Sequence, residues 1–192
     1  MFFIGFTGHT NIEKANNQEL YNNGIIYNEE ILDFVKEELM LAINQIKELK
    51  NIENIGIVSG MARGVDEVAA IIAMELNIPL ILSIPNSVSW HISRPFSRGV
   101  KAQAINYKKI LDYVNNRIKN GCPYSKINEI KKEYIGKVYK YANEARNQNI
   151  IDASNIVVSY LKYPSSGTLD GIDKAKKKNK YYNNITDITK GQ

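Results

Sequence analysis

Short apolar runs alternate along this chain with longer stretches in which apolar residues return every three or four positions. Phe2–Thr7 is a short apolar run closed by Gly8, the pattern of a buried strand that leads into a loop. Asn28–Leu49 places Ile31, Leu32, Val35, Leu39, Ala42, Ile43 and Ile46 on one helical face. Ile55–Ser59 reads as a second buried strand. In Gly64–Leu76 the residues Val68, Ala69, Ile72 and Leu76 form the stripe of a second helix. Ile78–Ile84 is β-branched and marked off by Pro79 and Pro85, a third strand. Ala142–Ser154 reads as helix, Asn155–Leu161 as a fourth strand, Gly167–Lys178 as helix and Tyr181–Ile185 as a last edge strand.

Strands that alternate with helices imply an open, mainly parallel sheet with helices on both faces, a Rossmann-like α/β fold. At 192 residues the chain is expected to be one domain, 1–192. The segment from about 86 to 141 breaks the alternation. Ala102–Val114 and Ile127–Tyr141 both have helical spacing, and Gly121-Cys122-Pro123 separates them. This predicts a helical insertion near the strand tips, where lids and oligomer contacts form. The apolar positions of the two helices exceed what a modest sheet covers, which predicts a homo-oligomer.

Composition narrows the setting. Hydrophobic residues are 44% and charged residues 23%, an ordinary globular balance. The single cysteine, Cys122, excludes an internal disulfide. No apolar run reaches the roughly 18 residues of a membrane span, so a cytoplasmic protein without membrane contact is expected. Two histidines and one cysteine make a metal centre an unattractive reading, and no cofactor is expected. The net charge of +5 is mildly basic and permits nucleic acid as a partner, as do the twelve tyrosines. Much of the excess sits in Lys174–Lys180, which equally suits the last turn of a helix.

Ligands of open α/β sheets bind beyond the carboxyl ends of the strands. Three glycine-bearing loops fall there: Thr7-Gly8-His9-Thr10, Ser59-Gly60-Met61-Ala62-Arg63-Gly64-Val65-Asp66, and Pro164-Ser165-Ser166-Gly167-Thr168-Leu169-Asp170. The second and third open helices. Glycine admits close approach to backbone N–H groups, and a helix start carries partial positive charge, so the loops favour an anion such as phosphate. The expected ligand-binding residues in these loops are Gly8, His9, Thr10, Ser59, Gly60, Arg63, Gly64, Asp66, Ser166, Gly167 and Thr168.

The run Ser59-Gly60-Met61-Ala62-Arg63-Gly64-Val65-Asp66, followed by Ala69-Ala70, resembles the SG-x-A-x-G-x-D motif of the SLOG superfamily, which includes the Lonely Guy phosphoribohydrolases and the DNA processing protein A family. Gly5-Phe6-Thr7-Gly8-His9 is similar to the first-strand motif of a SLOG branch of small bacterial and phage proteins, in which Arg usually stands where this chain has Thr10. Trp90 and Tyr107-Lys108-Lys109-Ile110-Leu111 also resemble that branch. The third loop is similar to the PGG-x-GT-x-E motif of the Lonely Guy enzymes, shortened by one residue and with serines in place of both glycines. Arg146 matches the enzymes' arginine, which implies that it too is a ligand-binding residue, and Asp170 stands where they place a glutamate.

The resemblance implies a protein that binds a nucleotide-derived small molecule, such as an ADP-ribose-like or cyclic nucleotide signal. It would act as an immune sensor or as a sequestering sponge that blocks immune signalling. The alternative is a phosphoribohydrolase that cleaves a nucleoside monophosphate to base and ribose 5-phosphate, with Arg146 and Asp170 catalytic. The missing loop glycines and the shorter acid favour binding. Several residues keep two readings. Asp66 binds a ribose hydroxyl or stabilises its helix dipole. His9 faces the ligand or braces a loop. Trp90 stacks on a base or fills the core. Arg94 and Arg98 clamp phosphates or lie solvated.

Overall fold

The computed structural model describes residues 1–92, 101–130 and 138–185. Its centre is a six-stranded sheet in which every adjacent pair is parallel. The strands are β1 (Phe2–Gly8), β2 (Ile55–Ser59), β3 (Leu80–Pro85), β4 (Lys126–Ile130), β5 (Ile156–Tyr160) and β6 (Tyr181–Asn184), in the order β4-β3-β2-β1-β5-β6. β2 and β3 are buried at every residue, which is why they read as continuous apolar runs.

The helices are α1 (Ile12–Asn16), α2 (Gln18–Asn22), α3 (Glu29–Lys50), α4 (Val65–Glu75), α5 (Val88–His91), α6 (Lys101–Lys119), α7 (Val138–Ala153) and α8 (Ser166–Lys177). α3 starts where the Asn28 side chain accepts from the Ile31 amide at 2.9 Å. It stops at Asn51, which is left-handed at φ 49°. Its buried face is Ile31, Val35, Leu39, Ala42, Ile43 and Ile46. Asn77 and Asn179 are also left-handed, just beyond α4 and α8. Asparagine tolerates that conformation better than most residues, so it closes all three helices.

α4 is buried almost all round, from Val65 to Ala73. It packs on the sheet with α3 and α6 beside it, while α7 and α8 pack together and against the sheet. The main core joins Phe6, Ile57, Leu80 and Leu82 of the sheet to Leu39 and Ile43 of α3 and Val68 and Ile72 of α4. Tyr107, Ile110 and Val114 of α6 belong to the same core, so the chain itself covers apolar positions that had suggested self-association.

The expected all-helical insertion is corrected at one point: Lys126–Ile130 is the edge strand β4, paired with β3 from Ile81↔Lys126 to Pro85↔Ile130. Ile127 and Ile130 fit a helical spacing equally well, and Lys126 and Glu129 are the charges that edge strands carry against aggregation. The rest of the expected helix Ile127–Tyr141 lies partly outside the described residues, as do Arg94 and Arg98. Among the described residues no helix is long and apolar enough to cross a membrane.

Candidate functional site

The sheet order reverses at β1, which pairs with β2 on one side and β5 on the other. Loops after β1 and β5 therefore diverge and leave a crevice at the strand tips. A small cleft of about 60 Å³, open to solvent, lies there. It is lined by Thr7, Gly8 and Thr10 after β1, by Ala62 and Asp66 after β2, by Arg146, Asn147 and Ile150 of α7, and by Ser165, Gly167 and Thr168 after β5.

The loop after β2 is held by Ser59. Its buried hydroxyl donates to the Asp66 carbonyl at 2.7 Å and accepts from the Met61 amide at 3.1 Å. Gly64 then turns the chain into α4 at φ 76° and ψ −127°, a conformation favourable only for glycine. A Cβ there would strike the His9 and Thr10 carbonyls. Ser59, Gly60 and Gly64 thus shape the rim from beneath, and none lines the cleft.

Asp66 is buried, with 8% of its side chain exposed. Its Oδ2 lies 3.5 Å from Arg146 Nη1 and 3.4 Å from the Ala62 amide. Burial pushes its carboxyl above the ordinary range, and the Arg146 charge and the amide oppose that shift. Arg146 is itself held by its neighbour: Asn147 Oδ1 accepts from its Nε at 3.2 Å and its Nη2 at 2.9 Å. On its other side Asn147 donates from Nδ2 to the Gly167 carbonyl at 3.3 Å and to Asp170 Oδ2 at 3.1 Å. Lys174 Nζ pairs with the same Asp170 oxygen at 2.6 Å.

At the start of α8 the Thr168 hydroxyl is buried and has no hydrogen-bond partner among the described residues. Gly167, one residue earlier, has nothing within 4 Å of the position a Cβ would take. α8 comes close to β1: a Cβ on Gly171 would lie 2.7 Å from Thr7 Oγ1.

Of the expected binding residues, Gly8, Thr10, Asp66, Arg146, Gly167 and Thr168 line the cleft together. Ser166 is exposed at the start of α8 without lining it. His9 is 1% exposed and sits under the loop after β5. Its Nε2 accepts from the Lys162 amide at 2.9 Å and its ring stacks on Tyr163 at 3.9 Å. Burial, then the charges of Lys162 and Lys14, lower its pKa to about 4, so the ring is neutral at pH 7. Arg63 lies on the other side of α4's first turn, in the field of Glu13 and Glu67. Glu67 is buried and accepts from Asn106 Nδ2 at 3.1 Å; burial raises its pKa to about 7. Trp90 is half-buried in α5, and the adjacent His91 bonds to the Tyr107 hydroxyl at 3.0 Å.

Sequence reasoning missed Asn147, which lies in the polar stretch Asn143–Asn149, and placed Thr7 in the first rim loop without naming it a binding residue. The lysines from 174 to 180 are largely committed within the chain. Lys178 pairs with Asp152, Lys176 lies over the Tyr181 ring, and Lys180 closes the end of α7 by donating to the Ile151, Asp152 and Ser154 carbonyls.

The order of parallel strands, the crevice at β1/β5 and the helix starts on its rim define a Rossmann-like α/β architecture. The solved structure of DNA processing protein A (DprA) from Streptococcus pneumoniae shares this fold, with a TM-score of 0.54, 16% identity and 95% of this chain covered. The chain spans about half the length of that protein, matching 50% of it. No family model matches, and no curated protein matches.

Proposed function

We propose that this protein binds a nucleotide-derived small molecule in the cleft between β1 and β5, with a phosphate seated at the first turn of α8. The observation that carries this reading is the Thr168 hydroxyl, buried and without a partner among the described residues, at the start of a twelve-residue helix. A buried polar group without a partner costs about 1–3 kcal/mol, and a phosphate oxygen would relieve it. The helix start adds N–H groups and the positive end of the dipole, and Gly167 leaves the approach open. Arg146 supplies a cation from across the cleft, and the buried Asp66 carboxylate suits a ribose hydroxyl.

Sensing or sequestration of a signal such as an ADP-ribose-like or cyclic nucleotide fits better than hydrolysis. Asp170, the acid a hydrolase would need, does not line the cleft, and its Oδ2 is taken by Lys174 and Asn147. The test is to purify the protein, denature it and identify the released small molecules by mass spectrometry, then to incubate it with a panel of nucleotides. Intact phosphate-bearing ligand supports the proposal. Free base and ribose phosphate would establish the hydrolase instead. Tight single-stranded DNA binding with no affinity for any nucleotide would overturn both.

A further inference from the structure

Resting on the reading of the cleft as a phosphate seat, we infer that Asn147 is a positioning residue that sets the ligand's phosphate preference by holding the Arg146 guanidinium against the start of α8. Its amide is the only side chain, among the described residues lining the cleft, with hydrogen bonds to both sides of the seat. The carbonyl end takes two of Arg146's N–H groups. The amide end reaches the backbone of Gly167 and the carboxylate of Asp170, both in α8.

Asn147 is 6% exposed, so these bonds form in a setting where losing one leaves a buried group unmatched. Two consequences follow. Arg146 is an arginine on a long flexible stem, yet three of its nitrogens are fixed, one by Asp66 and two by Asn147. Its remaining N–H groups are thereby preset relative to Thr168, which removes ordering cost at binding. The arrangement also needs an amide in particular. A carboxylate at 147 would still accept from Arg146 but would face Asp170 with like charge. A shorter hydroxyl would not span both sides.

The experiment compares ribose 5-phosphate with ribose as probes, titrated into isotope-labelled full-length protein and followed by NMR. The ratio of their dissociation constants isolates the phosphate from the rest of the site. The variants are Asn147→Asp, Asn147→Ser and the pair Asn147→Asp with Asp170→Asn, which restores a donor facing an acceptor across the same gap. Unfolding midpoints are measured alongside. The wild type is expected to prefer the phosphorylated sugar. Asn147→Asp and Asn147→Ser should each lose about tenfold of that preference, and the paired variant should recover part of the loss. A purely structural role would lower the midpoint and weaken both sugars alike, leaving the ratio unchanged, and that result would overturn the inference while the phosphate seat stands. No phosphate preference in the wild type would overturn both. If Asn147→Asp fails to fold, the uncharged Asn147→Ser variant carries the comparison with the same two outcomes.

Discussion

Replacing Arg146 with methionine tests how the two halves of the cleft are joined. Methionine keeps much of the stem's volume and removes the charge that faces Asp66. The carboxylate would then be left buried with only the Ala62 amide, at 3.4 Å. Breaking a buried pair by removing one partner costs about 3–5 kcal/mol. The contact here is 3.5 Å long and Arg146 keeps 13% of its side chain exposed, so about 3 kcal/mol, the low end, is expected at pH 8.

The sign with pH is fixed. Burial already raises the Asp66 pKa, and Arg146 opposes that rise, so the variant's folded state holds its proton to still higher pH. A folded pKa raised above the unfolded value adds stability in acid that is lost as pH climbs through the folded pKa. The deficit should therefore shrink as pH falls from 8 towards 5. Asp66→Asn in the Arg146→Met background removes the stranded charge. The double variant should be more stable than the sum of the single losses predicts, by about 1–2 kcal/mol. Urea unfolding of the wild type, both single variants and the double variant at pH 8 and pH 5 reads all of these terms. Additive losses that do not depend on pH would refute the coupling of Asp66 to Arg146.

Glu67→Gln should raise stability at pH 8, because the folded pKa of about 7 against the ordinary 4.5 makes the wild type lose stability as pH rises from about 4.5 through 7. The gain approaches roughly 3 kcal/mol at 1.36 kcal/mol per unit and vanishes below pH 4.5; urea unfolding at the two pH values checks it, and a less stable variant at pH 8 would contradict it. Gly64→Ala should cost about 2 kcal/mol, because its φ of 76° and ψ of −127° disfavour a side chain and the new Cβ meets the His9 carbonyl. That lowers the thermal midpoint by about 4–8 °C in a chain of this size, and an unchanged midpoint would contradict the geometry.

Most of the sheet was legible because burial on both faces leaves strands as continuous apolar runs. β1, β2, β3 and β5 stand within a residue or two of where those runs placed them, and the amphipathic stripe of α3 is its buried face. β4 was not legible. An edge strand with Lys126 and Glu129 exposed lacks such a run, and its two isoleucines fit a helical spacing. α1, α2 and α5 were missed because four or five residues are too few to show a period.

At the site, chain order located the rim but not the direction in which its residues point. Asp66 and Glu67 are adjacent in α4 and have different partners, Asp66 meeting Arg146 and Glu67 meeting Asn106. His9 had two readings, and its buried ring beneath Lys162 and Tyr163 matches the loop-bracing one. Asn147 stood in a run of polar residues that singled out none of them; the packing of α7 against α8 gives its Nδ2 the Gly167 carbonyl and the Asp170 carboxylate as partners.

Phosphate binding at the start of α8 is open to direct test by one NMR titration. Ribose 5-phosphate is added to ¹⁵N-labelled protein while the backbone amides are watched. Gly167, Thr168 and Gly8 are expected to shift in a saturable way, while Gly121, beyond the C-terminal end of α6, stays still. Shifts centred on Gly121 and β4, with Gly167 and Thr168 unmoved, would contradict it.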